Sequence, residues 1–133
     1  MHGDEIRQRV RERLAEQRLV VRSLLAMREQ LPGSLFARYA ECGKESCSCR
    51  TGRKHGPYYV ISQRSGGKGA FAYLETGRVA DARLLVARSR AFRDGLRRLR
   101  RVNLELVGLL RRYQRAMTEK GGLRLGLPAA RQP

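Results

Sequence analysis

Tryptophan is absent from this chain and aromatic residues make up only 6% of it, so its core must be modest and largely aliphatic. Acidic side chains are scarce as well. Twelve Asp and Glu face 29 Lys and Arg, leaving a formal net charge of +17. No run of about 18 apolar residues is present, which excludes a helix of ordinary membrane-spanning type. The amino terminus, MHGDEIRQRVRER, lacks the apolar stretch of a secretory signal. A cytoplasmic protein that does not engage membranes is the expectation. There are only three cysteines, an odd number, and in a reducing compartment they read as metal ligands or reactive thiols rather than as disulfides.

With 133 residues, the chain has room for one ordinary domain. A surplus of 17 positive charges attracts polyanions over a Debye length or more, which makes nucleic acid the first partner to consider. Only 4 of the 29 basic residues are Lys. Arg codon bias in a GC-rich genome accounts for that equally well, although the guanidinium fork does suit phosphate and stacks on bases.

Three segments follow one another. Residues 4–31 carry Ile6, Val10, Leu14, Val21, Leu24, Leu25 and Leu31 at helical spacing, with Asp4 as a candidate N-cap and Pro32-Gly33 as a stop. Gln17 and Arg28 interrupt that stripe, so an amphipathic helix packed on another element is expected rather than a continuous coiled coil. Residues 33–77 lose the helical period and are rich in Gly and Tyr. They predict a small antiparallel sheet, with a hairpin at about 58–64 and 70–75 around a Ser65–Gly69 turn and a third strand near 34–40. Residues 81–120 return to helix, and 121–133 read as a flexible tail. The whole predicts an α+β fold with a single domain over 1–120, in which a long C-terminal helix packs on the first.

In the last helix Phe92, Leu96, Leu99, Asn103, Leu106, Leu110, Tyr113 and Met117 form a heptad seam. Leu96, Leu99, Asn103, Leu106 and Leu110 are therefore the candidate oligomerisation residues, and a homodimer is expected, as a four-helix bundle if the first helix joins. Asn103 has two readings: a residue fixing register between subunits, or a polar residue at the edge of an intramolecular helix pair.

The stretch ECGKESCSCRTGRKHGPYY gathers Cys42, Cys47, Cys49 and His55 at the spacing C-x4-C-x-C-x5-H. A tetrahedral zinc ion holds sulfur at about 2.3 Å, so two thiolates must approach to about 3.8 Å. A C-x-C pair points both side chains to one face of an extended segment, and Gly43 and Gly52 permit the turns that bring the other ligands in. Three thiolates and a neutral imidazole around Zn2+ leave one negative charge, which Lys44, Arg50, Arg53 and Lys54 would offset. Two alternatives stand beside zinc: thiols with no ligand role, and a catalytic cysteine with His55 as its base. Four protein ligands would leave no open coordination position, which favours a structural ion and a chain that is not an enzyme.

Gly56-Pro57 leads into a strand in which Tyr58 and Tyr59 face opposite ways, so at most one lies in the core. Both read as sheet tyrosines or as base-stacking residues. Arg88, Arg90, Arg93, Arg97, Arg98, Arg100 and Arg101 fall outside the heptad seam, either as a solvated face or, together with Lys44, Arg50, Arg53 and Lys54 of the cysteine loop, as phosphate contacts.

The string CGKESCSCRTGRKHGPYYVISQR, preceded by GSLFARYAECG, resembles a family of small uncharacterised bacterial and archaeal proteins with a CGK…C-x-C…HGPYY signature, often encoded near transposases. The resemblance spans roughly residues 33–75, extends more weakly into the second helix and does not obviously include the first. It implies a shared structural core and, by association with mobile elements, favours DNA over RNA. The expectation is a zinc-stabilised nucleic-acid-binding accessory or regulatory protein. The alternative is an adaptor that pairs with a second copy or with a transposase-like partner.

Overall fold

A computed structural model describes residues 2–65 and 68–129. Its order is helix α1 (Gly3–Ala26), strands β1 (Ser34–Ala40), β2 (His55–Ser65) and β3 (Lys68–Leu74), and helix α2 (Val79–Arg124). The α+β class expected from the sequence is observed. The described chain divides into two compact units. One contains the segments up to Ala26 and from Asp94 onward, the other Met27–Arg93.

The helical unit is an antiparallel pair. In α1, Ile6, Val20 and Leu24 are buried, and in α2, Val102, Leu106 and Leu109 are buried. Both helices contact each other along a 4-3 spacing, but the seam differs from the expected one. On α1 it runs through Ile6, Val10, Arg13, Gln17, Val20 and Leu24, leaving Leu14, Val21 and Leu25 exposed. On α2 it runs through Gly95, Leu99, Val102, Leu106, Leu109 and Tyr113, one residue earlier than predicted at every second position. The polar seam members are matched across the pair. Gln17 Nε2 donates to Asn103 Oδ1 at 2.7 Å, Arg13 reaches Glu16 at 2.7 Å and Glu105 at 3.2 Å, and Arg7 donates to the Tyr113 hydroxyl at 2.9 Å. Two polar residues in α1 are tolerated because each finds such a partner.

Helix α1 begins one residue before Asp4, which thus lies in the first turn; the His2 amide donates to Glu5 Oε2 at 3.2 Å. It ends at Ala26, five residues earlier than expected. Residues 27–33 leave the helix, and Leu31 N–H bonds to the Leu85 carbonyl at 3.0 Å. Pro32 disfavours a helical conformation for Leu31. At the other end, α2 continues through Gly121 and Gly122 to Arg124. It closes with Leu127 N–H on the Gly122 carbonyl at 2.9 Å and Gly126 N–H on Leu123 at 3.0 Å, a double bond pattern that satisfies the final carbonyls. The expected tail over 121–133 is thus helical in its first four residues, while residues 130–133 lie outside the described ones, as do 66 and 67 within the expected Ser65–Gly69 turn.

The sheet unit has strand order β1-β2-β3, all antiparallel, with β2 central. Alternation sends Tyr59, Ile61 and Gln63 to one face and Tyr58, Val60 and Ser62 to the other. Ile61 packs with Ala82 and Val86 of α2, joined by Leu31, Leu35 and Leu74. Within this unit that face is covered by the start of α2. The register slips between Arg38 and Ala40, so Tyr39 bulges where the strand pair opens into the cysteine loop.

Candidate metal centre

The fourteen residues from Glu41 to Lys54 join β1 to β2 and hold three of the four candidate ligands; His55 opens β2. A Lys44–Cys47 turn, closed by Cys47 N–H on the Lys44 carbonyl at 3.2 Å, carries the chain from Cys42 to Cys47. A short 3-10 turn, Ser48–Arg50, follows and directs Cys49 inward, where it is only 1% exposed. Gly56 then sits at φ +134°, with the Arg38 carbonyl 2.8 Å from where a Cβ would stand, so no other residue fits beside the bulge.

The ligand atoms of Cys42, Cys47, Cys49 and His55 all lie within 4.8 Å of one another. Cys42 Sγ and Cys49 Sγ are 3.6 Å apart, and Cys47 Sγ is 3.2 Å from His55 Nε2. A tetrahedral ion with sulfur at about 2.3 Å requires edges of about 3.8 Å, so the cluster can bind a metal ion. Thiolate and imidazole donors suit soft or borderline transition metals rather than calcium or magnesium. Clipping a loop of this length restricts the unfolded chain, as a disulfide does to the extent of about 3 kcal/mol.

The sulfurs differ electrostatically. Cys47 is held below the ordinary thiol range, chiefly by the Cys49 amide and then by the side chains of Cys49 and Cys42. At Cys49 the Cys42 amide acts to lower the pKa, but burial and the neighbouring sulfurs outweigh it and the thiol lies above its ordinary range.

Around this centre Lys44, Arg50 and Arg53 are exposed on the loop. Lys54 instead bonds Glu41 at 2.9 Å across the loop's neck, a half-exposed pair worth no more than about 1 kcal/mol. Tyr59 is half-buried on the helix-facing side with the Arg83 guanidinium 5.9 Å from its ring centre, whereas Tyr58 is exposed on the opposite side.

The seven arginines proposed for phosphate contact separate into two sets. Arg88 reaches the Glu29 carbonyl and carboxylate at 3.2 and 3.8 Å. Arg97 is paired with Asp94 at 2.7 Å and Arg98 with Glu16 at 3.1 Å. Arg90 and Arg93 in the sheet unit, and Arg100 and Arg101 in the helical unit, are exposed and have no carboxylate partner among the described residues.

Of the candidate oligomerisation residues, Leu106 is buried and Leu99 half-buried inside the helical unit, and Asn103 bonds Gln17 there. Leu96 and Leu110 remain 47% and 53% exposed. Phe36, Arg38, Phe71 and Tyr73 were not singled out from the sequence, although their i, i+2 spacing in β1 and β3 signals one shared sheet face.

No helix among the described residues is long and apolar enough to cross a membrane. No curated protein and no solved structure matches the chain. A family model matches residues 4–84, extending over α1, which the cysteine signature alone did not reach; by that match the chain belongs to DUF6788, a domain of unknown function.

Proposed function

We propose that the chain is a zinc-stabilised nucleic-acid-binding accessory or regulatory protein with no catalytic role of its own, acting on DNA in preference to RNA and in association with mobile-element machinery. The observation that carries the reading is the set of four exposed arginines, Arg90, Arg93, Arg100 and Arg101, left without carboxylates among the described residues in a chain of net charge +17. Unpaired guanidinium groups are free to exchange hydration and chloride for phosphate. Zinc is the proposed ion because it accepts thiolate and imidazole together in a closed tetrahedral site and brings no redox chemistry. Its part would be to hold the loop and the β1–β2 pair in register.

Filter binding of duplex DNA at two salt concentrations tests this. Engagement of six phosphates gives a log–log slope of about −5. Binding that is absent or indifferent to salt would reject the reading.

A second reading is favoured by the apolar residues that the helical unit leaves outside, among them Leu96, Leu104, Val107 and Leu110. They lie beside the internal seam and suit pairing with a second copy or with a helix of a transposase-like partner, which would make the protein an adaptor. Measuring its mass in solution across a range of concentrations separates a self-paired chain from a monomer.

A further inference from the structure

The sheet unit offers a surface that the arginine reading does not use. On the face of the sheet turned away from α2, side chains of both edge strands lean over the central strand. Phe36 and Phe71 meet edge to face with ring centres 6.4 Å apart, and Arg38 Nη1 donates to the Tyr73 hydroxyl at 3.0 Å. Together they cover Val60, which is only 3% exposed, while remaining open themselves: Phe71 is 72% and Tyr73 64% exposed. Tyr58 continues the surface toward the metal loop. Five of the chain's eight aromatic residues lie in the three strands or their bulge and are exposed, which solvent alone gives no reason for.

Charge identifies what would cover this face. The three strands contain no Asp or Glu at all, whereas Arg38 sits among the rings. At the end of the sheet away from the metal loop, Arg90 and Arg93 line a groove with Phe71, Ser62 and Gln63. A second copy would oppose Arg38 to Arg38 in chains that each carry +17. A ligand with flat rings and regularly spaced negative charges meets both features at once.

We propose that this sheet face is a stacking platform for single-stranded nucleic acid, with bases on Phe71, Tyr73, Phe36 and Tyr58 and the flanking phosphates on Arg90 and Arg93. The inference deepens the nucleic-acid reading and rests on it. A duplex hides its base faces and cannot use the rings, so the platform confers a preference for unpaired strands. The surface accommodates about four nucleotides, a small site of the kind that follows the strand by stacking and charge without reading sequence.

The test uses the full metal-loaded chain and fluorescence anisotropy with labelled oligothymidylate and oligouridylate of about 20 nucleotides, against a duplex of equal length. Phe71→Ala with Tyr73→Ala should weaken binding to both single strands by about tenfold or more and change duplex binding less than about twofold. Arg100→Ala with Arg101→Ala should weaken all three. Phe71→Trp, the chain's sole tryptophan, should retain single-strand affinity, and oligothymidylate but not duplex should quench its emission. This second variant keeps the test valid if the double alanine chain does not fold. Equal losses on single strand and duplex, or no loss, overturn the platform while leaving the arginine reading intact. A wild-type chain that binds no nucleic acid overturns both. A wild-type dimer that the alanine substitutions convert to monomer without weakening oligonucleotide binding assigns the face to self-association, and overturns the proposal.

Discussion

Gln17, in the seam of α1, and Asn103, flanking the seam of α2, satisfy each other across 2.7 Å. Asn103→Leu removes that bond and adds a leucine between the exposed Leu96 and Leu110. We expect a loss of about 1 kcal/mol in urea unfolding and, in a Gln17→Leu/Asn103→Leu cycle, a coupling of about 0.5–1.5 kcal/mol. Additive effects would show that the amides act independently.

Gly95 meets Leu24 where the helices approach, and a Cβ there would stand 2.5 Å from Leu24 Cδ2. Alanine in a helix interior is favoured over glycine by about 1 kcal/mol, so the sign depends on whether Leu24 can yield. Leu24 is buried, and Gly95→Ala should therefore destabilise the wild-type chain yet stabilise a Leu24→Ala chain, as read by thermal midpoints.

Purified protein should contain one zinc ion per chain by elemental measurement. Stripping it with chelator should lower stability by about 2.7 kcal/mol relative to protein held at zinc one hundredfold above Kd. Cys49→Ser should abolish stoichiometric binding, because its sulfur is the buried corner of the cluster. Acidification should release the ion as protons compete for the thiolates.

In reduced, metal-free protein the thiols should differ in order of reaction. Cys47, below its ordinary range, loses its proton first as pH rises and should be alkylated ahead of Cys49, whose proton is retained to higher pH. The two make opposite contributions to stability. That of Cys47 is present above the unfolded thiol pKa and lost as pH falls through its folded value; that of Cys49 is present below the unfolded pKa and lost as pH rises through its folded value. Peptide mapping after iodoacetamide reads the order directly, and bound zinc should protect all three.

Charge removal should distinguish the paired from the unpaired arginines. Arg100→Ala/Arg101→Ala should flatten the salt slope for duplex binding by about two, whereas Arg97→Ala should flatten it less, since Asp94 already neutralises that group.

The helices and the ligand cluster were legible because each depends on local spacing: a 3.6-residue period in one case, Cys and His separated by turn-forming glycines in the other. The seam register was not. Leu96 and Leu110 are as apolar as Leu109, and only the position of α1 decides which of them is covered. Gln17 broke the apolar pattern of α1 and Arg13 lay outside it, although both belong to its contact face, since their partners Asn103 and Glu105 lie about ninety residues away in sequence. Arg88, Arg97, Arg98 and Lys54 looked the same as the free basic residues for a related reason: whether a cation is paired is settled by tertiary contacts.

The family match ends at residue 84, but the hydrophobic support beneath Ile61 does not. Val86 and the Leu85 carbonyl that receives Leu31 both lie beyond that boundary. A recombinant fragment truncated there would keep every cysteine and both tyrosines of the HGPYY string and still lose Val86 and the Leu85 carbonyl from beneath its sheet. Any attempt to produce the family-matched piece in isolation should carry α2 at least as far as Ser89, the buried polar residue one turn further on.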